Sequence, residues 1–368
     1  MSKKIRVGVL CGGRSAEHEV SLQSAKNVVE AIDRSKYEVV LIGIDKSGQW
    51  ALSDPAQLAV EASKGTLPAI TQVDADAAVT LVPRASGAGQ LVRSGDAAAV
   101  GGVDVVFPVL HGTYGEDGTV QGLLKLANVP FVGAGVLGSS VGMDKDVMKR
   151  LLRDAGIPGP RFVTLTQQGA ADYGAVVAEV GEPCFVKPAN MGSSVGVHKV
   201  TDEASFRVAL ADAFDYDRKV MVEEAIVGRE IECSVLGNEE PIASVPGEVI
   251  PTHDFYSYEA KYLDENGALL KIPADLPEAT VERVQELAVR SFQVLCCEGL
   301  ARVDVFLRGV DEVLVNEINT IPGFTRISMY PKLWEASGIG RTDLIDRLIQ
   351  LALDRHAKEN ALRTSYEG

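Results

Sequence analysis

Two things are missing from this chain of 368 residues: a surplus of positive charge, and any cysteine arrangement that could brace a fold. Acidic residues outnumber basic ones, 51 to 36, for a net charge of −15. That balance argues against nucleic acid or an anionic membrane surface as partner, and leaves any anionic ligand to a few local cations. The five cysteines (Cys11, Cys184, Cys233, Cys296, Cys297) are odd in number and form no C-x-x-C pair, so neither a disulfide framework nor a zinc site is expected. No apolar run approaches the ~18 residues of a membrane span. The start, MSKKIRVGVLCGG, passes from a basic tip directly into a strand pattern, without the apolar core and cleavage site of a secretory signal. There is no internal repeat and no low-complexity tract. A protein of a reducing compartment, the cytoplasm, is the expectation.

What is present is globular. Hydrophobic residues make up 46% and charged residues 24%, enough for a buried core, and the length implies roughly two or three domains. KIRVGVL reads as a buried strand, CGGRSAEHEVS as a loop, the next stretch as a helix with Leu22, Ala25, Val28, Val29 and Ile32 on its apolar side, and YEVVLIGID as a second strand. A β-α-β opening predicts a parallel sheet. Residues 52 to about 100 are rich in Ala, Gly, Ser and Asp and receive no role. GVDVVFPVL resumes the sheet, HGTYGEDG is a polar glycine-rich loop, TVQGLLKLANV a helix and PFVGAG another strand. MDKDVMKRLLRDAGIPGP then reads as a helix stopped at Gly156, with Pro158 and Pro160 beyond. Short strands with long loops follow. Boundaries at 138/139 and 222/223 divide the chain into units of residues 1–138, 139–222 and 223–368.

GAGVLG, residues 133–138, matches the G-x-G-x-x-G dinucleotide fingerprint, with Asp154 at a suitable distance. Asp154, however, falls in the last turn of a helix, where the fingerprint acid would end a strand. A turn joining domains is the expected identity of this segment. CFVKPANMGSSVGVHKV places Lys187 at the end of a strand, before the loop Asn190–Gly196. Glycine-rich backbone can close on phosphate oxygens and a lysine adds a point charge, although a flexible hairpin loop explains the same residues. Glu223, Glu224 and Glu230 surround a short apolar step whose backbone could match the edge of adenine; alternatively they form a solvated strand edge.

ARVDVFLRGVDEVLVNEINTIPGF, residues 301–324, is the strongest local signal. Folded as a hairpin, it sets Asp304 opposite Glu317 and Arg302 opposite Asn319 on one face. Facing carboxylates repel unless a cation lies between them. Hard oxygen donors suit Mg²⁺, and opposed Cβ atoms ~5 Å apart could hold metals ~4 Å from each other. Arg302 beside them can stabilise a developing anion. GEVIPTHDFYSYEAKYLDENG, with Tyr256, Tyr258, Lys261 and Tyr262, has the character of a lid. Glu17 could hold an ammonium in a loop between strand and helix. His18 and His111 are the histidines of the glycine-rich loops.

The phosphate-type lysine and loop, the acidic adenine-type strand and the Asp…Glu-x-Asn hairpin together resemble an ATP-grasp enzyme. With GGRSAEHEVSL, HGTYGEDGT, VKPANMGSSVGV, YEAKY and NEINTIPGFT added, the chain resembles the D-alanine–D-alanine ligases over nearly its whole length. The resemblance implies an ATP-grasp architecture: an N-terminal open parallel sheet domain followed by two α+β domains clasping the nucleotide. It implies a homodimer that joins two D-alanine molecules through an acyl phosphate, releasing ADP and phosphate, for peptidoglycan precursors. Lys145 and Lys187 would contact the phosphates of ATP beneath Gly192, Ser193 and Ser194, and Lys261 would reach them from the lid. Glu223, Glu224 and Ile226 would face adenine and Glu230 the ribose. Asp304, Glu317 and Asn319 would hold two Mg²⁺, or Mn²⁺ in their place. Glu17 would bind the first ammonium, with His111 near its carboxylate; Ser193 and Tyr262 would complete a hydrogen-bonded set with Glu17. Arg302 and the Gly323 backbone would stabilise the oxyanion, and Ser328 with the Met329 backbone would hold the second carboxylate. A lid tyrosine goes with dipeptide formation in this family. The alternatives are another ATP-grasp carboxylate ligase, such as one forming the D-alanyl-D-lactate ester, a dinucleotide-binding oxidoreductase or sensor, and a nucleotide-binding regulator without chemistry.

Overall fold

The computed structural model describes residues 3–54, 70, 73, 76–83, 89–166, 171–251, 268–363 and 365. The chain opens with β1 (Ile5–Gly12), α1 (His18–Ala31) and β2 (Tyr37–Ile44), and β1 pairs with β2 in parallel from Ile5↔Tyr37 to Gly12↔Ile44. Leu22, Ala25, Val28 and Val29 recur at helical spacing and are buried, which packs α1 on that sheet. β3 (Trp50–Ser53) joins β2 antiparallel. The stretch that composition left without a role contains β4 (Val79–Val82), β5 (Gly89–Arg93) and β6 (Ala99–Val103), a separate antiparallel sheet. Its Leu81, Leu91 and Val103 share a core with Ile42 and Leu124. β7 (Val105–Pro108) returns to β1 in parallel, giving the order β3-β2-β1-β7.

After α2 (Thr119–Leu126), two expectations are corrected. PFVGAG is not a strand but contributes one parallel bridge, Phe131 to Val106, before Gly133 turns to a φ of 97°. GAGVLG does not remain a turn: Gly135 caps α3 (Val136–Met143). Its glycines serve packing, since a Cβ on Gly138 would sit 2.5 Å from the Cys296 carbonyl oxygen. α4 (Lys145–Asp154) starts on Asp144, whose side chain accepts the Val147 N–H at 3.0 Å. It ends where Gly156 takes a φ of 68°, as expected.

β8 (Phe162–Leu165), α5 (Tyr173–Val180), β9 (Cys184–Pro188), β10 (His198–Val200), α6 (Glu203–Tyr216) and β11 (Val220–Glu224) form the second unit, a sheet ordered β10-β9-β11-β8. The third sheet comprises β12 (Arg229–Gly237), β13 (Ile242–Ala243), β14 (Gly247–Pro251), β15 (Ala268–Lys271), β16 (Gly299–Arg308) and β17 (Glu312–Asn319), with α7 (Glu278–Val294) against it. Sheet pairing breaks at residues 225–228, just beyond the expected boundary. α8 (Met329–Ala336) and α9 (Arg341–Asn360) follow. Helix α9 packs back on the first sheet, where Leu344, Ile345 and Leu348 share a core with Val9 and Phe107. The chain's end thus completes the fold of its beginning.

That return is locked by a buried cation. Arg355 of α9 donates to the carbonyls of Phe131, at 2.7 Å, and of Gly133, and its guanidinium lies 4.5 Å over the Phe131 ring. Arg355→Met would strand two buried carbonyls, so chemical denaturation should show a loss of about 2–4 kcal/mol. Unchanged stability would mean that these carbonyls find other partners.

Candidate functional site

β16 and β17 pair with Arg302↔Asn319 and Asp304↔Glu317, the register expected from the sequence. Near the turn, however, Arg308 faces Glu312 and Val305 faces Val315, so the ladder shifts between Asp304 and Val305. Asn316 is the extra residue of this bulge. Its signature is visible in the core-facing residues Val313, Val315 and Ile318, whose spacing changes from two to three. The bulge is what brings Glu317 beside Asp304 while keeping Ile318 in the core.

The acidic face is wider than the hairpin. On the neighbouring strand β12, Glu232 pairs with Asp304, so Glu232, Asp304 and Glu317 lie on one rung across three strands. Arg302 answers this charge from within: its Nε and Nη2 each meet a carboxylate oxygen of Asp304 at 2.7 Å, and Nε lies 2.9 Å from Glu232. Burial works against the guanidinium's charge, yet Asp304 and Glu232 hold its pKa well above the ordinary value. Lys145 Nζ lies 3.4 Å from Glu317 and donates to the Met191 carbonyl at 2.7 Å. Two carboxylates and an amide on one face, lining a cavity of about 440 Å³, fit a hard divalent cation that keeps oxygens from water or phosphate. Among the described residues there is no group of three or more His, Cys, Asp or Glu side chains arranged as a metal cage.

The cavity's opposite wall comes from the first unit. Glu17, at the N-terminus of α1, is buried and accepts a hydrogen bond from the Ser193 hydroxyl. Two glycines approach this carboxylate closely: a Cβ on Gly112 would lie 2.7 Å, and one on Gly192 3.1 Å, from Oε2. Ser193 and Ser194 have φ values of 53° and 61°, left-handed conformations that tighten the loop. His111 is buried with both ring nitrogens engaged, Nδ1 with the Ile321 carbonyl at 3.0 Å and Nε2 with the Ser24 hydroxyl at 3.1 Å. Burial pushes its pKa below the ordinary value, which keeps the ring neutral. Ser24 also accepts the Phe324 N–H at 3.1 Å, so His111 fastens α1 to the loop carrying Gly323. His18 is structural: it is fully buried, with Nδ1 at 2.8 Å from the Gly13 carbonyl.

Beneath the Asn190–Gly196 loop lies a buried triad. Glu223 of β11 meets Lys187 of β9 with one carboxylate oxygen and Lys149 of α4 with the other. Burial alone would raise its pKa, but the two lysines hold it below the usual carboxylate value; burial pushes Lys149 down. Glu224, the next residue on the strand, points elsewhere, pairing with Arg161 and Arg308 at 3.0 Å each. The two carboxylates thus lie on opposite faces of the strand, as neighbours do. Ile226 lies in the 225–228 connection, partly buried, and Glu230 lines the cavity. Gly323 and Ser328 line it too; the Ser328 hydroxyl accepts the Thr325 N–H at 2.9 Å, and Met329 opens α8. Lys261 and Tyr262 lie outside the described residues.

Sequence reasoning missed three charged residues here, each with a signal at short range. Lys149 follows Lys145 by one helical turn, Glu232 follows Glu230 on the same face of a strand, and Glu116 sits in the HGTYGEDG loop. Glu116 is buried at the cavity wall and accepts the Gly112 N–H at 2.7 Å.

The comparisons with known proteins agree over the whole chain. The family model described as D-ala D-ala ligase N-terminus matches residues 6–134, and that described as D-ala D-ala ligase C-terminus matches residues 151–350. A D-alanine–D-alanine ligase of Oceanobacillus iheyensis is 53% identical over 365 residues, covering 98% of this chain and 99% of its own. D-alanine–D-alanine ligase A of Escherichia coli K12 is 52% identical over 373 residues, covering 99% and 100%. Among solved structures, the D-alanine–D-alanine ligase of Coxiella burnetii superposes with a TM-score of 0.83 at 41% identity, covering 98% of this chain and 97% of its own. A D-Ala:D-Ser ligase of Enterococcus faecalis gives 0.82 at 35%, covering 95% and 100%.

Burial, and then the nearby Glu17 carboxylate, push Glu116 up to about 8. The folded state therefore holds a proton that the unfolded chain releases near pH ~4.5, and stability should fall as pH rises through that window toward 8. Glu116→Gln cannot ionise. Its melting temperature should decline less than wild type between about pH 6 and pH 9; an equal decline would mean Glu116 is already ionised in the folded state.

Proposed function

This chain belongs to the D-alanine–D-alanine ligase family and is an ATP-dependent ligase joining two D-alanine molecules, and we propose that the cleft between its three sheets carries each step through the following residues. The observation that carries this reading is the hairpin face: Asp304, Glu317 and Asn319 in one register, with Arg302 and Lys145 beside them, opposite Glu17. Glu17, steadied by Ser193, takes the ammonium of the first D-alanine. His111, neutral and doubly hydrogen-bonded, holds the loop that receives its carboxylate. Lys145 and Lys187 draw in the phosphates of ATP under the Ser193–Ser194 loop, Glu230 takes the ribose, and Glu223, Glu224 and Ile226 face adenine. Lys261 would reach the phosphates and Tyr262 would complete a hydrogen-bonded set with Ser193 and Glu17.

A free carboxylate is too poor an electrophile for an amine. One carboxylate oxygen of the first D-alanine therefore attacks the γ-phosphorus of ATP, ADP leaves, and an acyl phosphate forms. Asp304, Glu317 and Asn319 would hold two Mg²⁺, which Mn²⁺ could replace, supplying positive charge against the transferring phosphoryl group. The second D-alanine, its carboxylate held by Ser328 and the Met329 N–H, presents its deprotonated amine to the acyl carbon. Arg302 and the Gly323 N–H stabilise the tetrahedral oxyanion; phosphate then leaves and the amide remains. Most of this is positioning and fixed charge, the usual requirement of phosphoryl transfer. The dipeptide serves peptidoglycan precursor synthesis.

No helix among the described residues is long and apolar enough to cross a membrane. We further infer a cytoplasmic homodimer with small-molecule substrates and no nucleic-acid partner, the last in keeping with the net charge of −15. The division into an N-terminal substrate-binding domain and two ATP-grasp domains follows the three main sheets.

With ATP and Mg²⁺ at neutral pH, phosphate release should be fast with D-alanine and near background with L-alanine. Faster turnover with D-lactate or D-serine as second substrate than with D-alanine alone would overturn the dipeptide assignment. Asp304→Asn should keep the fold, as judged by melting, and lose activity by on the order of 10²-fold or more. Retained turnover would remove the hairpin from the chemistry.

A further inference from the structure

Lys149 is buried at 4% exposure, one helical turn beyond Lys145. A lysine is seldom buried without a reason, because desolvating an ammonium is costly. Among the described residues, its ion-pair partner is Glu223, itself 3% exposed. The other oxygen of Glu223 meets Lys187, which is 8% exposed and leads into the Asn190–Gly196 loop over the cleft. The cluster therefore places two ammoniums around one carboxylate and carries a net positive charge. Removing Lys149 from that sum leaves Lys187 and Glu223 as a neutral pair.

We propose that Lys149 is a positioning residue for the nucleotide: it absorbs the charge of Glu223, so that the charge of Lys187 remains available to phosphate. The inference rests on the ATP-dependent reading of this cleft but assigns a group that touches neither substrate. In a site of low dielectric, an ion pair formed between Lys187 and Glu223 alone would screen the lysine from any ligand. Lys149 divides the carboxylate between two cations and prevents that collapse. The geometry also explains why the helix carries lysines at positions 145 and 149, a like-charged spacing unfavourable in isolation. Each ammonium has its own acid, Glu317 for Lys145 and Glu223 for Lys149.

A structural tie between α4 and the second sheet would show the same contacts, so the test must separate charge from stability. Equilibrium affinities for ATP and for adenosine would be measured by calorimetry on the full-length wild type, Lys149→Met, Lys149→Arg, Glu223→Gln and the double variant K149M/E223Q. Lys149→Met should weaken ATP by ~10-fold or more and adenosine by no more than ~3-fold, with a shallower salt dependence of ATP binding. Lys149→Arg should restore most of the ATP-to-adenosine ratio. The double variant, with no acid left to quench Lys187, should recover that ratio relative to Lys149→Met, and Glu223→Gln alone should raise it above wild type. Equal weakening of both ligands, or a double variant with a lower ratio than Lys149→Met, would overturn the proposal. If Lys149→Met fails to fold, Glu223→Gln decides: a ratio at or below wild type sinks the idea. Wild-type phosphate release with ATP and D-alanine runs alongside. Its absence would count against the ligase reading, whereas its presence with unshifted ratios would count against Lys149 alone.

Discussion

Like charges held on one rung of a sheet are the constraint around which this molecule is arranged. Glu232, Asp304 and Glu317 occupy neighbouring strands at a single level, half-buried, where their repulsion is weakly screened. Arg302 and Lys145 offset part of it. The proposed metal ions of a nucleotide would join Arg302 of the same sheet and Lys145 of α4 in countering these acids. With a net charge of −15, these local cations are the places where a triphosphate would dwell.

Around the rung, glycine and serine serve proximity. Gly112 and Gly192 leave room for the Glu17 carboxylate, and Ser193 holds it from the central unit. His111 does the same work on the other side, joining α1 through Ser24 to the 321–324 loop. In the proposed assignment, the groups for the first D-alanine come mainly from the first unit, and those for the second D-alanine and the nucleotide from the other two. Because α9 packs into the first sheet's core, the first unit is tied to the third by buried side chains as well as by the active cleft. Parts that must be aligned to fractions of an ångström for in-line transfer are held by a shared core.

The three missed residues share one physical cause. Burial is invisible in a sequence, and Lys149, Glu232 and Glu116 each read as an ordinary solvated charge until the fold covers them. At GAGVLG, expected to be a turn joining domains, the structure instead starts a helix on Gly135, with Gly138 packed closely against the Cys296 carbonyl. The 52–100 stretch was illegible because its strands are short and half of its apolar residues are alanine; its sheet packs into a core that includes Ile42 and Leu124.

Pattern and spacing alone determined the β-α-β opening, the hairpin carrying Asp304 and Glu317, the Lys187 loop and the family resemblance, because each depends on residues close together in the chain. Tertiary structure decided what depends on distant residues. It turned Glu224 toward Arg161 and Arg308, gave Glu223 two lysines, set Glu232 beside Asp304 and returned α9 to the first sheet. Strand periodicity assigns a side chain to a face, but only the packing of other elements against that face determines which charges it meets and how little water is left between them.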